Sequence, residues 1–168
     1  LACPERFLCP ADYNSMGFSV PAALGAAWSN PSRTVVSFVG DGAFLMTGLK
    51  SLVGEPSAPP ILVIVLRDRR LGMIGDIQRV THRAEVCTKL PEFHLEALRL
   101  RPSRLHFATV STQAALAANL EDARRHLAAG RSSVIECLVD PERTSYFFRG
   151  ALSSSALPPP RASAVAPA

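Results

Sequence analysis

The sequence predicts an α/β domain on a mostly parallel sheet with helices on both faces, and three observations carry that prediction. Short β-branched runs alternate with helical patterns along the chain, as in stacked βα units. One run, Ile61–Leu66 (ILVIVL), is apolar without alternation, as a strand covered on both faces must be. The chain has 168 residues, 48% hydrophobic and 19% charged, which is enough for one buried core and short for two.

The elements follow in order. Met16–Ser29 is alanine-rich and reads as a helix, with Pro21 near its first turn, where the missing N–H costs little. Thr34–Val39 (TVVSFV) is a β-branched run ending at Gly40-Asp41-Gly42. Gly48–Leu52 reads as a short helix cut by Gly54-Glu55-Pro56 and Pro59-Pro60. After the strand Ile61–Leu66, His106–Val110 is a candidate fourth strand and Ser133–Val139 a third. Between these two lies the helix Thr112–Ala129, capped by Ser111 or Thr112 and stopped by Gly130, with Leu116, Leu120, Ala123 and Leu127 on one face. The serine run and LPPPRASAVAPA end have no apolar periodicity, so the globular part is expected over 1–150 and a flexible tail over 151–168. The chain starts at Leu1 without an initiator methionine, as a piece of something longer does.

Several function classes are excluded on composition. The net charge is +4 and 16 of the 18 basic residues are arginine, but they are scattered and lack interleaved aromatics, so no nucleic acid is expected as a partner. Cys3, Cys9, Cys87 and Cys137 form no CxxC pair, and His82, His94, His106 and His126 match no ligand spacing. With no signal-like segment and no apolar run of about 18 residues, no membrane association is expected and the chain reads as cytoplasmic, its thiols reduced.

The chemistry is concentrated in two turns. Gly40-Asp41-Gly42 follows a strand, which puts Asp41 at the carboxyl edge of an open α/β sheet, where ligands bind. Glycine permits close backbone approach to a phosphate, and aspartate offers a hard oxygen to Mg²⁺. Alone this is an ordinary Asp-Gly turn. Just past the next strand stands Arg67-Asp68-Arg69-Arg70, with Asp68 27 residues after Asp41. Parallel strands joined by a helix bring their carboxyl ends together, so both aspartates can reach one cation.

From Asp12 to about Gln78 the chain resembles the cofactor-binding, C-terminal domain of thiamine diphosphate enzymes, most like the acetolactate synthase group. Asn14-Ser15-Met16-Gly17-Phe18-Ser19-Val20-Pro21-Ala22-Ala23 is similar to its GTMGFGLPAA-like segment. Gly40-Asp41-Gly42-Ala43-Phe44 with Asp68 is similar to its GDG…NN metal motif, and Leu71-Gly72-Met73-Ile74 to the segment after it. The resemblance implies a thiamine diphosphate fold, N-terminally truncated here, since its first strand would lie upstream of Leu1. It implies Mg²⁺ held by Asp41, Asp68 and the backbone carbonyl of Arg70. It implies thiamine diphosphate contacts from Ser15, Met16, Gly17, Gly40, Asp41, Gly42, Ala43, Phe44, Leu71, Gly72 and Met73. Met16 would prop the cofactor into its bent shape, and Met73 would lie near the substrate.

The implied activity is that of a thiamine diphosphate-dependent lyase or transferase that decarboxylates a 2-oxo acid and ligates or releases the product. Two departures bear on it. Asp68 stands where the family usually has asparagine, and its extra charge calls for an offset, expected from Arg67 or Arg69. Ile77 replaces a tryptophan associated with the choice of incoming 2-oxo acid, which leaves a benzoylformate- or pyruvate-decarboxylase-like relative as an alternative to acetolactate synthesis. The family's catalytic glutamate belongs to a pyrimidine-binding domain absent here. No catalytic residue is therefore assigned to this chain, which alone is expected to be inactive. The expected partner is that domain in a homodimer or higher assembly; a catalytically inactive remnant or partner-binding subunit is a further alternative.

Overall fold

The computed structural model describes residues 6–10, 13–54, 57–93 and 105–140. Four strands, β1 (Val36–Gly40), β2 (Leu62–Arg67), β3 (Leu105–Val110) and β4 (Ser132–Leu138), form one sheet in the order β1-β2-β4-β3. Every pair is parallel, with Gly40 opposite Leu66, Val65 opposite Glu136 and Thr109 opposite Glu136. The boundary placed at residues 150 and 151 and the tail beyond it lie outside the described residues.

The unalternating strand β2 is explained by cover on both faces. Val63 and Val65, with Val39 and Val134, pack against Val20, Ala23, Leu24 and Ala27 of α1 (Ser19–Ser29). Leu62 and Ile64, with Ile135, Val110 and Cys137, pack against Ala123 of α5 (Gln113–Ala128). The α5 cap is Thr112, whose side chain accepts from the Ala115 N–H at 3.2 Å, rather than Ser111. Cover of this second face is incomplete: Val36 and Phe38 of β1 stay exposed there.

Two helices differ from expectation. The first starts at Ser19, not Met16, because Gly17 has φ +86°, a left-handed conformation that ends any helix but suits glycine. The second begins at Asp41 rather than Gly48. Gly40 is extended and acts as the cap, Asp41–Ala43 (α2) follows, Phe44–Gly48 forms a widened π-type turn, and Leu49–Gly54 (α3) completes the helix. The Phe44 ring, wholly buried, occupies the space that a side chain at Gly48 would need. A further helix, α4 (Gly72–His82), was not anticipated and ends at Arg83 in the left-handed region, φ +53°.

Candidate functional site

The turns after β1 and β2 meet at the carboxyl edge of the sheet. Asp41 is 1% exposed, and both its oxygens accept backbone N–H groups: Oδ1 from Gly42 and Oδ2 from Arg69, each at 2.8 Å. Burial raises the Asp41 pKa above the ordinary carboxylate value; the nearby Asp68 charge adds to the rise, and the Arg69 hydrogen bond opposes it. Asp68 Oδ1 accepts the Arg70 N–H at 3.2 Å, and its Oδ2 lies 3.6 Å from Arg70 Nε. Arg69 bends the turn with φ +61°, uncommon outside glycine.

A strap over residues 87–93 is fastened across this turn. The Leu71 N–H donates to the Thr88 carbonyl at 2.7 Å and the Leu90 N–H to the Arg69 carbonyl at 3.0 Å. Arg70 thereby pairs antiparallel with Lys89, through bonds that do not use its own carbonyl. Two carboxylates and that carbonyl are hard oxygens of the kind Mg²⁺ takes, few enough to leave positions for phosphate and water. Among the described residues no group of three or more His, Cys, Asp or Glu side chains is placed to hold a metal. A cation here would therefore draw on backbone, phosphate and water as well.

Several of the other predicted contacts adjoin one another beside these turns. A side chain at Gly42 would meet Leu71 Cδ2 at 2.7 Å and Met16 Cε at 3.4 Å, so Met16, Gly42 and Leu71 adjoin one another. Gly17 is held beside the π-type turn by Thr47, whose hydroxyl donates to the Gly17 carbonyl at 2.7 Å. Gly72 lies against Asp68, and a side chain there would sit 2.6 Å from Asp68 Oδ2. Ser15, Met16, Gly40 and Met73 are exposed, and Ala43 is half-buried. Phe44 differs: its ring belongs to the core, so only its backbone can face a ligand.

The structure redirects the expected charge offset. Arg67 is buried, but its guanidinium pairs with Glu136 (Nη1 to Oε1, 2.9 Å), donates to the Phe93 carbonyl at 2.8 Å and lies 5.0 Å over the Phe93 ring. Glu136 Oε2 also accepts from Thr109 at 3.0 Å. Arg69 is exposed and pairs with Glu92 at 3.7 Å. The arginine that faces Asp68 is Arg70, which also reaches Asp76 at 3.0 Å and Glu85 at 3.6 Å. Arg79 shares both of these carboxylates. These partners escaped the sequence reading because Glu136 and Phe93 are distant in the chain. The spacing of Asp76 and Arg79 by three residues was the available local signal.

Comparison with known proteins agrees with this geometry. Residues 1–137 match the family model of the thiamine pyrophosphate enzyme, C-terminal TPP binding domain. The chain is 35% identical over 77 residues to the acetolactate synthase isozyme 2 large subunit of Escherichia coli (strain K12), covering 46% of this chain and 14% of that protein. It is 42% identical over 71 residues to the chloroplastic acetolactate synthase 2 of Zea mays, covering 42% of this chain and 11% of the relative. A probable acetolactate synthase large subunit of Methanocaldococcus jannaschii is 35% identical over 77 residues, covering 46% and 13% respectively. The chain thus spans less than a sixth of the length of these relatives. With the two aspartate turns side by side at the sheet edge and the family match running through β4, the chain belongs to the thiamine pyrophosphate enzymes, as their C-terminal TPP binding domain.

Proposed function

We propose that this domain binds the diphosphate of thiamine diphosphate through Mg²⁺ and serves an acetolactate synthase-like enzyme that decarboxylates a 2-oxo acid and ligates the product to an acceptor. The observation that carries the reading is the juxtaposition of Asp41 and Asp68 at adjacent strand ends, joined through the Arg69 N–H. When bound, thiamine diphosphate supplies the carbanion chemistry. This chain's residues do the holding: Asp41, Asp68 and the Arg70 carbonyl offer oxygens to the cation, and exposed Gly40, with nothing within 4 Å of where a side chain would stand, leaves open the ground a diphosphate needs. Met16 and Leu71 pack over the neighbouring Gly42 and would exclude water from that side.

Activation of the cofactor needs a positioned carboxyl, which we assign to a pyrimidine-binding domain docking in a homodimer or higher assembly. Exposed Met16, Met46, Met73 and Ile74 support such a docking surface. Without that domain the chain is expected to be inactive. A cytoplasmic location is part of the same proposal, supported by free thiols at Cys9, Cys87 and Cys137. Ile77, which presents no aromatic face at its 39% exposed position on α4, favours a 2-oxo acid decarboxylase as the second reading.

Calorimetric titration of thiamine diphosphate into the chain, with an intact pyrimidine-binding domain supplied, tests the proposal. Saturable binding that requires Mg²⁺ and disappears in Asp41→Ala is expected. Binding indifferent to both would sink it.

A further inference from the structure

Helix α4 is attached to the domain in an unusual way. Met73, Ile74 and Ile77 are 61%, 44% and 39% exposed, while Gly75 and Asp76 are the buried positions among the described side chains of α4. These three apolar residues face outward and the acidic residue faces in. What Asp76 meets there is Arg70, whose side chain is only 10% exposed. Arg70 donates to Asp76 Oδ1 through Nη2 at 3.0 Å. Its other two edges are buried without a hydrogen-bond partner: Nε stands 3.6 Å from Asp68 and Nη1 3.6 Å from Glu85, ion-pair distances too long for hydrogen bonds. The guanidinium is thus shared among three carboxylates and satisfies only one of them closely.

The charges around it define what this sharing does. Arg67 is paired with Glu136 and Arg69 with Glu92, so neither makes an ion pair with Asp68, although the Arg67 charge still reaches Asp41. Arg70 is shared by Asp68, Asp76 and Glu85, with Arg79 on the last two, and Asp41 stands beside Asp68 with the Arg67 charge also acting on it. Among the described residues these four carboxylates outnumber the arginines paired with them, an excess that a divalent cation would offset.

We propose that Arg70 is a positioning residue that acts as a shared counter-ion: it holds Asp68 while the cation site is empty, and yields Asp68 when a divalent cation binds. Its charge then falls to Asp76 and Glu85 and fastens α4 and the 85–90 segment to the site. Glu85 is poised for this, because Gly75 has no side chain and a Cβ there would lie 2.5 Å from Glu85 Oε1 and 3.2 Å from Arg70 Nη1. Filling the cation site and ordering the outward apolar face of α4 are in this way one event. The inference rests on the magnesium reading of Asp41 and Asp68 given above.

Mn²⁺ is the probe, added to the full chain, with affinity read from the paramagnetic resonance of free Mn²⁺ and ordering from amide exchange at Leu71 and Leu90. In the unaltered chain Mn²⁺ is expected to slow exchange at both amides. Arg70→Gln, which removes the competing charge, is expected to bind Mn²⁺ about tenfold more tightly and to lose the slowing. Arg70→Lys should restore the original affinity but not the slowing, since an ammonium is a point charge without a fork. Glu85→Gln carries the test if the Arg70 variants fold poorly; it leaves Arg70 more fully on Asp68, so it should bind Mn²⁺ about threefold more weakly and lose the slowing. Mn²⁺ binding that Asp41→Ala abolishes but Arg70→Gln leaves unchanged overturns the counter-ion role and keeps the magnesium site. Persistence of the slowing in Glu85→Gln also overturns it. Absence of Mn²⁺ binding in the unaltered chain overturns both readings.

Discussion

The Arg69 backbone N–H donates to Oδ2 of Asp41 at 2.8 Å, so the turn after β2 is shaped by the side chain that ends β1. The bond helps to hold Arg69 at φ +61°, a conformation that costs a non-glycine residue about 1 kcal/mol or more. Asp41→Ala removes the acceptor of both Arg69 and Gly42 and is expected to destabilise the domain by about 1–3 kcal/mol, even though a buried charge is removed with it. Asp41→Asn keeps one acceptor and should cost about half as much. Urea unfolding of the three proteins checks this, and a larger loss in Asn than in Ala would show that the charge, not the acceptor pair, governs the turn.

Gly42 and Gly48 lie on successive turns of one helix and should respond oppositely to alanine. At Gly42 the new methyl meets the far end of Leu71, which can shift, so Gly42→Ala is expected to cost under about 1 kcal/mol in stability. It also displaces Leu71 and Met16, which are read as cofactor contacts, and thiamine diphosphate affinity should fall about tenfold or more. At Gly48 the methyl meets the Phe44 ring, which is 0% exposed and has nowhere to go. Gly48→Ala should therefore cost about 1–3 kcal/mol of overpacking. Thermal unfolding and calorimetry with the cofactor separate the two; equal losses of stability would contradict the argument.

The contrast also marks what the sequence could and could not reveal. Ile61–Leu66 and Asp41 were legible because strand composition and a glycine-flanked aspartate at a strand end are local signals. The spacing to Asp68 was legible because a parallel crossover has a regular geometry. Helix α4 was legible but overlooked: Met73, Ile74, Ile77 and Val80 recur at helical spacing, a stripe that marks an amphipathic helix even though the first three of them are exposed in this domain. The start of α1 was misplaced because a glycine at position 17 can be either helical or left-handed, and the choice is made by Thr47 some thirty residues away. Likewise the partner of Arg67 depends on which strand lies beside β2. The insertion of β4 between β2 and β3 decides it, bringing Glu136 alongside.

That buried pair supplies a sharper test of packing against charge. Arg67 and Glu136 are 6% and 2% exposed, and Arg67 also fixes the strap through Phe93. Arg67→Met strands the Glu136 carboxylate in the interior and is expected to cost about 3–5 kcal/mol. Arg67→Met combined with Glu136→Leu removes both charges and should recover most of that loss, because burying an ion pair brings little net stability. A double-mutant cycle in urea measures the difference. A double variant as unstable as Arg67→Met alone would mean that the hydrogen bonds to Phe93 and Thr109, rather than charge pairing, hold this edge together.

At the opposite edge of the sheet, His106 of β3 stacks on His126 of α5 with ring centroids 4.0 Å apart, and its Nδ1 lies 2.8 Å from the Ser133 hydroxyl. Burial lowers the His106 pKa below 6.5, and the neighbouring His126 and Arg131 charges lower it further against the opposing pull of Asp122. His126 is shifted the same way by burial, Arg131 and Arg125. In each case the unfolded chain takes up a proton at a higher pH than the folded one. Stability from this pair is therefore fully present above the unfolded value of about 6.5 and is lost as pH falls through it. His106→Phe preserves ring stacking but has no proton to gain, so it should flatten the decline in stability between about pH 7 and pH 5. At about pH 8 it should instead be less stable by about 1 kcal/mol, because the Ser133 hydroxyl loses its partner. Unfolding midpoints across that range provide the check, and a slope unchanged by the substitution would assign the acid sensitivity of the domain to other groups.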